Sequence, residues 1–591
     1  MDSKVNDYIY DENKQHNFSI DEIKNVFKLP IHYLKDKSTL ETNIHSDLEL
    51  TELKDNSNNC LYDNVFEPKN QLSKTTTRLW CNEFTTDKKF LKDSQQLIKN
   101  IKNVKKISTE EIDEIIDIYS EIKNDHGFKE RYNYIEWKMF EKFNTNSLFL
   151  LILSLVNITS PLFSLILPII ILCVPFFMLK LQGTPITLSD YCSIISKFGK
   201  ILPFVNILNF QSMAIDKKIM ASLSIVFYFF STYQNILHVF RFHKNMILIH
   251  NYLFKIKDFN DTTICNIDNF LSYSSNYNSY SLFNDELHKY KSILCQINEN
   301  LNTISPYSVN INKIFNFGNI MTNFYSIYND NNVNMSLLYS FGFYGYLENI
   351  IAVQSNINND FLHNCKFTTK KLGFKKSYYG PLKYENPITN NYNLDKNIVI
   401  TGPNAAGKTT ILKSTIINII LSQQIGCGFY KSANINPFDH IHCYLNIPDT
   451  SNRDSLFQAE ARRCKDIIDI IDSDKNKKHF CIFDELYSGT NPYEAVASAF
   501  SYLSYLCKNK NIKFMLTTHY VELCKKLMKY ENKKIVNKHM KVNKNNNGDF
   551  DFTYLLNNNI SEIKGGIKVL KDLNYPTNII DSTEQMINDN L

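Results

Sequence analysis

Eight consecutive residues, Gly402-Pro403-Asn404-Ala405-Ala406-Gly407-Lys408-Thr409, have the types and spacing of a phosphate cradle. Glycines at both ends let backbone N–H groups wrap an anion, and a helix N-terminus behind them adds positive potential. A lysine near the end of such a loop reaches the β- and γ-phosphates, and the hydroxyl after it ligates a divalent cation. Lys408 is therefore assigned to phosphate and Thr409 to Mg2+. Gly402, Pro403, Asn404, Ala405, Ala406, Gly407 and Thr410 complete the nucleotide contacts, with ATP as the ligand. The pattern G-x-x-x-x-G-K-[ST] carries this meaning only between a strand and a helix. Both are expected: Asn397-Ile398-Val399-Ile400-Thr401 reads as an apolar strand, and Ile411, Leu412, Ile416, Ile419 and Ile420 recur with helical spacing.

Two further strand ends carry chemistry. Phe480-Cys481-Ile482-Phe483 runs into Asp484-Glu485. A carboxylate at the end of a buried strand can hold Mg2+, and the next one can polarise an attacking water. Asp484 is assigned to the metal and Glu485 to the general base. Alone, two acids at a strand end are ordinary; beside an intact phosphate loop they are not. Ile512-Lys513-Phe514-Met515-Leu516-Thr517-Thr518-His519 is another apolar strand, ending in a histidine that can sense the γ-phosphate.

The order of these motifs resembles the ATPase of the MutS mismatch-repair family. The loop Thr401–Thr410 resembles its T-G-P-N-x-x-G-K-[ST]-T, and Ser455-Leu456-Phe457-Gln458-Ala459-Glu460 its [ST]-x-F-x-x-E. Asp484-Glu485-Leu486-Tyr487-Ser488-Gly489-Thr490-Asn491-Pro492-Tyr493-Glu494 resembles its D-E-x-x-x-G-T-x-x-x-[DE], and Thr518-His519-Tyr520-Val521-Glu522-Leu523 its T-H-Y-x-E-L. The four fall in register over about 125 residues, within a likeness running from Tyr384 to the C-terminus. Tyr346-Leu347-Glu348-Asn349-Ile350-Ile351-Ala352 is similar to the core-domain helix that precedes this ATPase. The resemblance implies a composite site in a homodimer or a related heterodimer formed through the ATPase domain. Ser455 would act in trans on the partner's nucleotide, Ser488-Gly489-Thr490 would line the interface, Asn404 would contact the γ-phosphate or the water, and His519 would be a switch. It also implies DNA as a partner. Departures are Ala405-Ala406, where the family usually has Met-Gly, and Ser451-Asn452-Arg453-Asp454, which lacks the family's glycine. No F-x-E mismatch-reading motif is found: Phe66-Glu67 lacks the spacing and Asn82-Glu83-Phe84 has the wrong order.

The elements that must position these residues set the fold class: an α/β P-loop NTPase domain of the ABC/MutS type at residues 371–591, preceded by a mainly α-helical core region. Residues 1–75 are polar and weakly periodic and read as poorly ordered. Residues 76–142 are helical, with Ser108 and Glu111 at capping-box spacing ahead of Ile112, Ile115, Ile116, Ile118 and Tyr119. Between Lys142 and Lys180 no residue is charged. As one helix this stretch would be about 55 Å long, more than one crossing of a ~30 Å hydrocarbon core. Asn157-Ile158-Thr159-Ser160-Pro161 offers a break, so 143–180 reads as an apolar hairpin, or as a single span Pro161–Leu179 behind a short interfacial helix. Basic residues on both flanks favour the hairpin. A second uncharged run, Ile219–Phe240, contains several Ser, Thr, Asn and Gln residues and reads as a buried helix of the middle domain rather than as a membrane span. Residues 181–370 form a helical, lever-like domain.

Composition narrows the classes without choosing among them. The chain has 591 residues and a net charge of +5, too mild to argue nucleic-acid binding by itself. Thirteen cysteines without a C-x-x-C pair fit reduced thiols and give no zinc spacing. The polar start, Met1-Asp2-Ser3-Lys4, has no apolar signal-peptide core. The expected protein is an intracellular ATP hydrolase with its ATPase domain on the cytoplasmic side and membrane association through 143–180. Its expected output is recognition and repair of mismatched or damaged DNA. The alternatives are a membrane-anchored relative with another role and a scaffold with a degenerate ATPase. An ABC transporter ATPase is disfavoured because no L-S-G-G-Q signature is present.

Overall fold

The uncharged run after Lys142 begins a helix at once, because Asn146 caps it: its side chain accepts from the N–H groups of Leu148 and Phe149. That helix, α1 (Ser147–Leu181), continues for 35 residues without a break. The hairpin expected inside 143–180 is therefore corrected to one helix. Pro161 has no N–H to offer the Asn157 carbonyl, and the Ser160 hydroxyl donates to that oxygen at 3.1 Å instead. The expected breaker is thus repaired locally.

The computed structural model describes residues 20–53, 60–198, 214–304, 315–369, 371–445, 456–531, 533–544, 550–561, 563, 567, 570–571 and 573–589. They fall into two units, with residues 110–264 and 291–337 in unit 1 and 19–109, 265–290 and 338–591 in unit 2. The expected segment 181–370 is thereby shared between both.

Unit 1 is helical. Besides α1 it contains α2 (Leu188–Phe198), α3 (Ile215–Ser274, as far as Ile264) and α4 (Phe317–Asn329). The helix Thr109–Asn124 buries Ile112, Ile115, Ile116, Ile118 and Tyr119, the residues whose spacing predicts it. An aromatic cluster closes the core: the Phe128 ring stacks on Tyr328 at 4.0 Å and on Tyr134 at 5.5 Å. The run Ile219–Phe240, expected to be buried, is mostly exposed.

Unit 2 is mixed α/β. Its six-stranded sheet comprises β1 (Asn397–Thr401), β2 (His440–Tyr444), β3 (His479–Asp484), β4 (Ile512–Thr517), β5 (Ile535–Lys544) and β6 (Phe550–Asn558). The spatial order is β6-β5-β1-β4-β3-β2. All neighbouring pairs are parallel except β5 with β6. Helices α5 (Lys408–Gln424), α6 (Leu456–Ser473), α7 (Pro492–Cys507) and α8 (Val521–Glu531) connect successive strands. Every residue of β1 is buried, as a central parallel strand requires. A second, five-stranded sheet is built from Asn390–Asn393, Gly373–Ser377, Ser432–Ile435, His363–Phe367 and Cys427–Gly428.

The expected irregular region 1–75 is corrected for its described part. Helices Ile20–Val26, Thr42–Asp47, Leu61–Phe66 and Gln71–Leu79 bury Ile23, Ile44, Tyr62, Val65 and Leu72 within unit 2, and Phe27 is buried just past the first of them. Polar contacts fix them: the Tyr62 hydroxyl donates to Gln424 Oε1 at 2.9 Å, and the buried Lys383 ammonium donates to the Asn64 carbonyl at 2.7 Å.

Candidate active site

Parallel strands with crossover helices gather their carboxyl ends along one edge, and ligands bind there where the strand order reverses. β1 lies between β5 and β4 and is such a point. The ends of β1, β3 and β4 deliver the phosphate loop, Asp484-Glu485 and Thr518-His519 to that edge.

The loop is shaped by its backbone. Gly407 caps α5 at φ +88°, and a Cβ there would also lie 3.1 Å from the Tyr554 ring. Ala405 takes the left-handed region at φ +61°. Ala406, where the related family usually has glycine, is absent from the positive-φ residues, so a methyl is tolerated. Lys408 is buried, and its ammonium donates to the carbonyls of Gly402 at 2.8 Å and Pro403 at 3.2 Å. Burial pushes its pKa down, while Glu485 and Asp484 oppose that shift. Asn404 and Thr410 are exposed on the loop and the first turn.

Both Asp484 oxygens are held by hydroxyls. Thr409 Oγ1 donates to Oδ2 at 2.8 Å, and Thr517 Oγ1 donates to Oδ1. The Thr517 partner follows from strand register, since Asp484 and Thr517 face each other across β3 and β4. A hydroxyl opposite a carboxylate beside a phosphate loop is the oxygen-rich donor set that Mg2+ takes.

Glu485 sits at φ +52° with its N–H bonded to the Thr517 carbonyl at 3.1 Å. Its Oε1 lies 2.8 Å from His519 Nε2, which lies 3.0 Å from Lys408 Nζ. The hydrogen bond from His519 lowers the Glu485 pKa, and the positive charge of Lys408 adds to it. Glu485 is therefore held ionised. A carboxylate has no proton to give, so His519 Nε2–H is the donor in that pair. Lys408, which gives two of its three N–H groups to the carbonyls, lies beside His519 with the third.

Glu460, the last residue of the Ser455–Glu460 motif, has a structural role that its motif does not state. Glu460, buried in α6, accepts from the Ser488 N–H at 3.0 Å, the Ser488 hydroxyl at 2.9 Å and the Gly489 N–H at 3.1 Å. It locks the loop after Glu485 onto α6. Gly489 is obligatory there, since a Cβ would meet Phe457 N at 2.7 Å. The signal was the E of [ST]-x-F-x-x-E, which is silent about its partner. Ser455 itself lies outside the described residues.

Lys408, Thr409, Asp484, Glu485 and His519 are thus brought together. Among known proteins, residues 398–590 match the family model MutS domain V. The chain is 30% identical over 206 residues to "Endonuclease MutS2" of Lactococcus lactis subsp. lactis, covering 34% of this chain and 25% of that protein. It is 31% identical over 194 residues to "DNA mismatch repair protein MutS" of Parabacteroides distasonis, covering 32% of this chain and 21% of that one. "Endonuclease MutS2" of Bacillus thuringiensis aligns over 258 residues at 26% identity, covering 43% of this chain and 30% of that protein. These matches support a MutS-family ATPase segment, and they span between about a fifth and a third of the length of those relatives.

Proposed function

We propose that this chain is a MutS-like ATPase that couples ATP binding and hydrolysis, in a dimer, to DNA binding. The proposed output is recognition and repair of mismatched or damaged DNA. The convergence of Lys408, Thr409, Asp484, Glu485 and His519 on one sheet edge carries the reading.

Thr409 and Asp484 are the residues to hold Mg2+, which when bound neutralises charge on the nucleotide phosphates. Lys408 binds the phosphates and exchanges its Gly402 and Pro403 carbonyl partners for them. His519 orients Glu485 through Oε1, which leaves Oε2 to take the proton of the attacking water. Asn404, exposed on the loop, contacts the γ-phosphate or that water. Ser455 acts across the dimer on the partner's nucleotide, so each site is completed by a second subunit, most simply another copy of this chain.

The test of the DNA reading is binding of homoduplex, mismatched and junction DNA, with and without ATP, across a salt series. Nucleotide-dependent preference for one structure is expected. Binding that ignores both nucleotide and DNA structure, and weakens uniformly with salt, would reflect phosphate contacts alone and end the repair assignment.

A second reading, a membrane-anchored MutS-like ATPase with a role other than mismatch repair, is favoured by one observation: the long exposed apolar surface of unit 1.

A further inference from the structure

In unit 1, α1 and the first part of α3 run antiparallel between two points, their shared neighbour α4 and one direct hydrogen bond. Ser147 at the start of α1 meets Gly318 of α4, and Phe317 of α4 packs on Phe242 of α3 with rings 6.0 Å apart. Seventeen residues along α1 and fourteen back along α3, the Tyr228 hydroxyl donates to the Ser164 carbonyl at 2.7 Å. That carbonyl is free because Pro168, four residues on, has no N–H. The seam on α3 is the stripe Ala221, Ile225, Tyr228 and Thr232, the less exposed positions at helical spacing.

Away from this seam the pair is uncovered. Among α1 residues whose side chains are described, Leu150 and Ser154 are the buried ones. From Leu162 to Leu181 the exposed large apolar side chains are Leu, Ile, Phe, Val and Met, with Phe177 61% exposed. Across from it on α3, Phe227 is 68% exposed, in company with Val226, Phe229 and Phe230. A patch of this extent in water marks an interaction surface.

Length, charge and flanks identify the occupant. Ser147–Leu167 carries no charge and spans about 32 Å as helix, and Ile219–Phe240, bounded by Lys218 and Arg241 and carrying Gln234, Asn235 and His238, spans about 33 Å. Both match a hydrocarbon core of ~30 Å. At the end near α4, Trp137, 74% exposed, with Phe140 and Phe143 alternates with Lys138 and Lys142, an aromatic and basic belt of the kind found at a membrane interface. Lys180 and Lys218 mark the other end. Three prolines, Pro161, Pro168 and Pro175, inside one helix are costly in water and tolerated in bilayers where neighbours satisfy the freed carbonyls, as Ser160 and Tyr228 do.

We propose that α1 and Ile219–Phe240 of α3 insert together into a lipid bilayer as an antiparallel two-helix hairpin. The Tyr228–Ser164 hydrogen bond staples the pair. Two crossings leave the chain before Ser147 and after Phe240 on one face, which is the cytoplasmic face if ATP is used there. The inference rests on unit 1 alone and stands or falls independently of the ATPase reading.

The test is flotation of the full chain with vesicles of phosphatidylcholine and phosphatidylglycerol, followed by alkaline carbonate. The chain is expected to float, to resist carbonate, and to shield Cys173, exposed on α1, from a membrane-impermeant maleimide until detergent is added. A variant combining Ile166→Lys, Ile170→Lys, Phe227→Lys and Phe230→Lys is expected to float more than tenfold less while keeping ATP hydrolysis at the wild-type rate. Release by carbonate, or labelling of Cys173 in intact vesicles, overturns the inference. So does a detergent-free soluble dimer that ignores vesicles, which would make the patch a contact between copies of this chain.

Discussion

His519 Nε2 lies 2.8 Å from Glu485 Oε1, so the proposed switch and the proposed base are one hydrogen-bonded pair. The bond holds the carboxylate below its ordinary pKa.

A pH prediction follows from that pairing. Glu485 must be ionised to act, and a lowered pKa keeps it ionised further into acid. His519→Ala removes the stabilising donor, so the Glu485 pKa rises and the acid limb of the kcat/KM profile moves to higher pH. The profile of His519→Ala against wild type checks this; superimposed acid limbs would sever the link between the two residues.

Asp484 holds its oxygens with two hydroxyls, one from Thr409. Thr409→Val should therefore raise the Mg2+ concentration for half-maximal hydrolysis by about tenfold or more, the scale of a lost ligand or its support, without unfolding the sheet. Titration of activity against Mg2+ reads this, and an unchanged midpoint would remove Thr409 from the metal site.

Glu460 supports the loop Ser488-Gly489 with three hydrogen bonds from a buried position. Hydrogen bonds to a charged group contribute about 1.5–3 kcal/mol each, and because Ser488 is exposed, water takes over part of that loss. Glu460→Ala is expected to lower the thermal midpoint and to slow hydrolysis by misplacing the segment after Glu485. Thermal unfolding monitored beside activity tests this; a wild-type midpoint would mean the loop is held by other contacts.

Three histidines stack across β2 and β3. The His440 and His479 rings are 4.7 Å apart, and His442 and His479 are 5.5 Å apart. Burial lowers the pKa of His479 to about 4, and burial with the neighbouring His442 lowers that of His440. Asp474 receives His440 at 2.9 Å, and Glu41 faces His442 at 3.4 Å. In the unfolded chain these histidines take protons near pH 6.5, whereas folded His479 refuses one until about pH 4. Stability should thus be intact above pH 6.5 and fall as pH drops toward 4, by about 1.4 kcal/mol per pH unit for each proton refused. Denaturant midpoints from pH 7.5 to 4.5 test this in comparison with His479→Gln, which should flatten the slope.

Much of the site was legible because its signals are local. A strand, a glycine loop and an apolar-periodic helix adjoin one another in sequence, and Asp484-Glu485 and Thr518-His519 each end a run of buried residues. The partners were not legible: Thr517 reaches Asp484 through β-strand register, and Glu460 reaches Ser488 across 28 residues. The helices between Ile20 and Leu79 were missed because they are short and their burial depends on distant groups such as Gln424 and Lys383. α1 was misread at Pro161, where hydroxyl-to-carbonyl repair by Ser160 is invisible to a rule about missing N–H groups. The run Ile219–Phe240 was misread because its serines and threonines suggested a soluble core, whereas Ser224 returns its hydroxyl to the Met220 carbonyl of its own helix.

The central claim is hydrolysis by Glu485 at a Lys408 phosphate loop, and steady-state phosphate release from Mg-ATP by the full chain tests it most directly. Wild type should turn over steadily, and Glu485→Gln should lose about 100-fold or more, the scale of a positioned general base, while still binding a fluorescent ATP analogue. Equal, background-level release from both proteins would contradict the account.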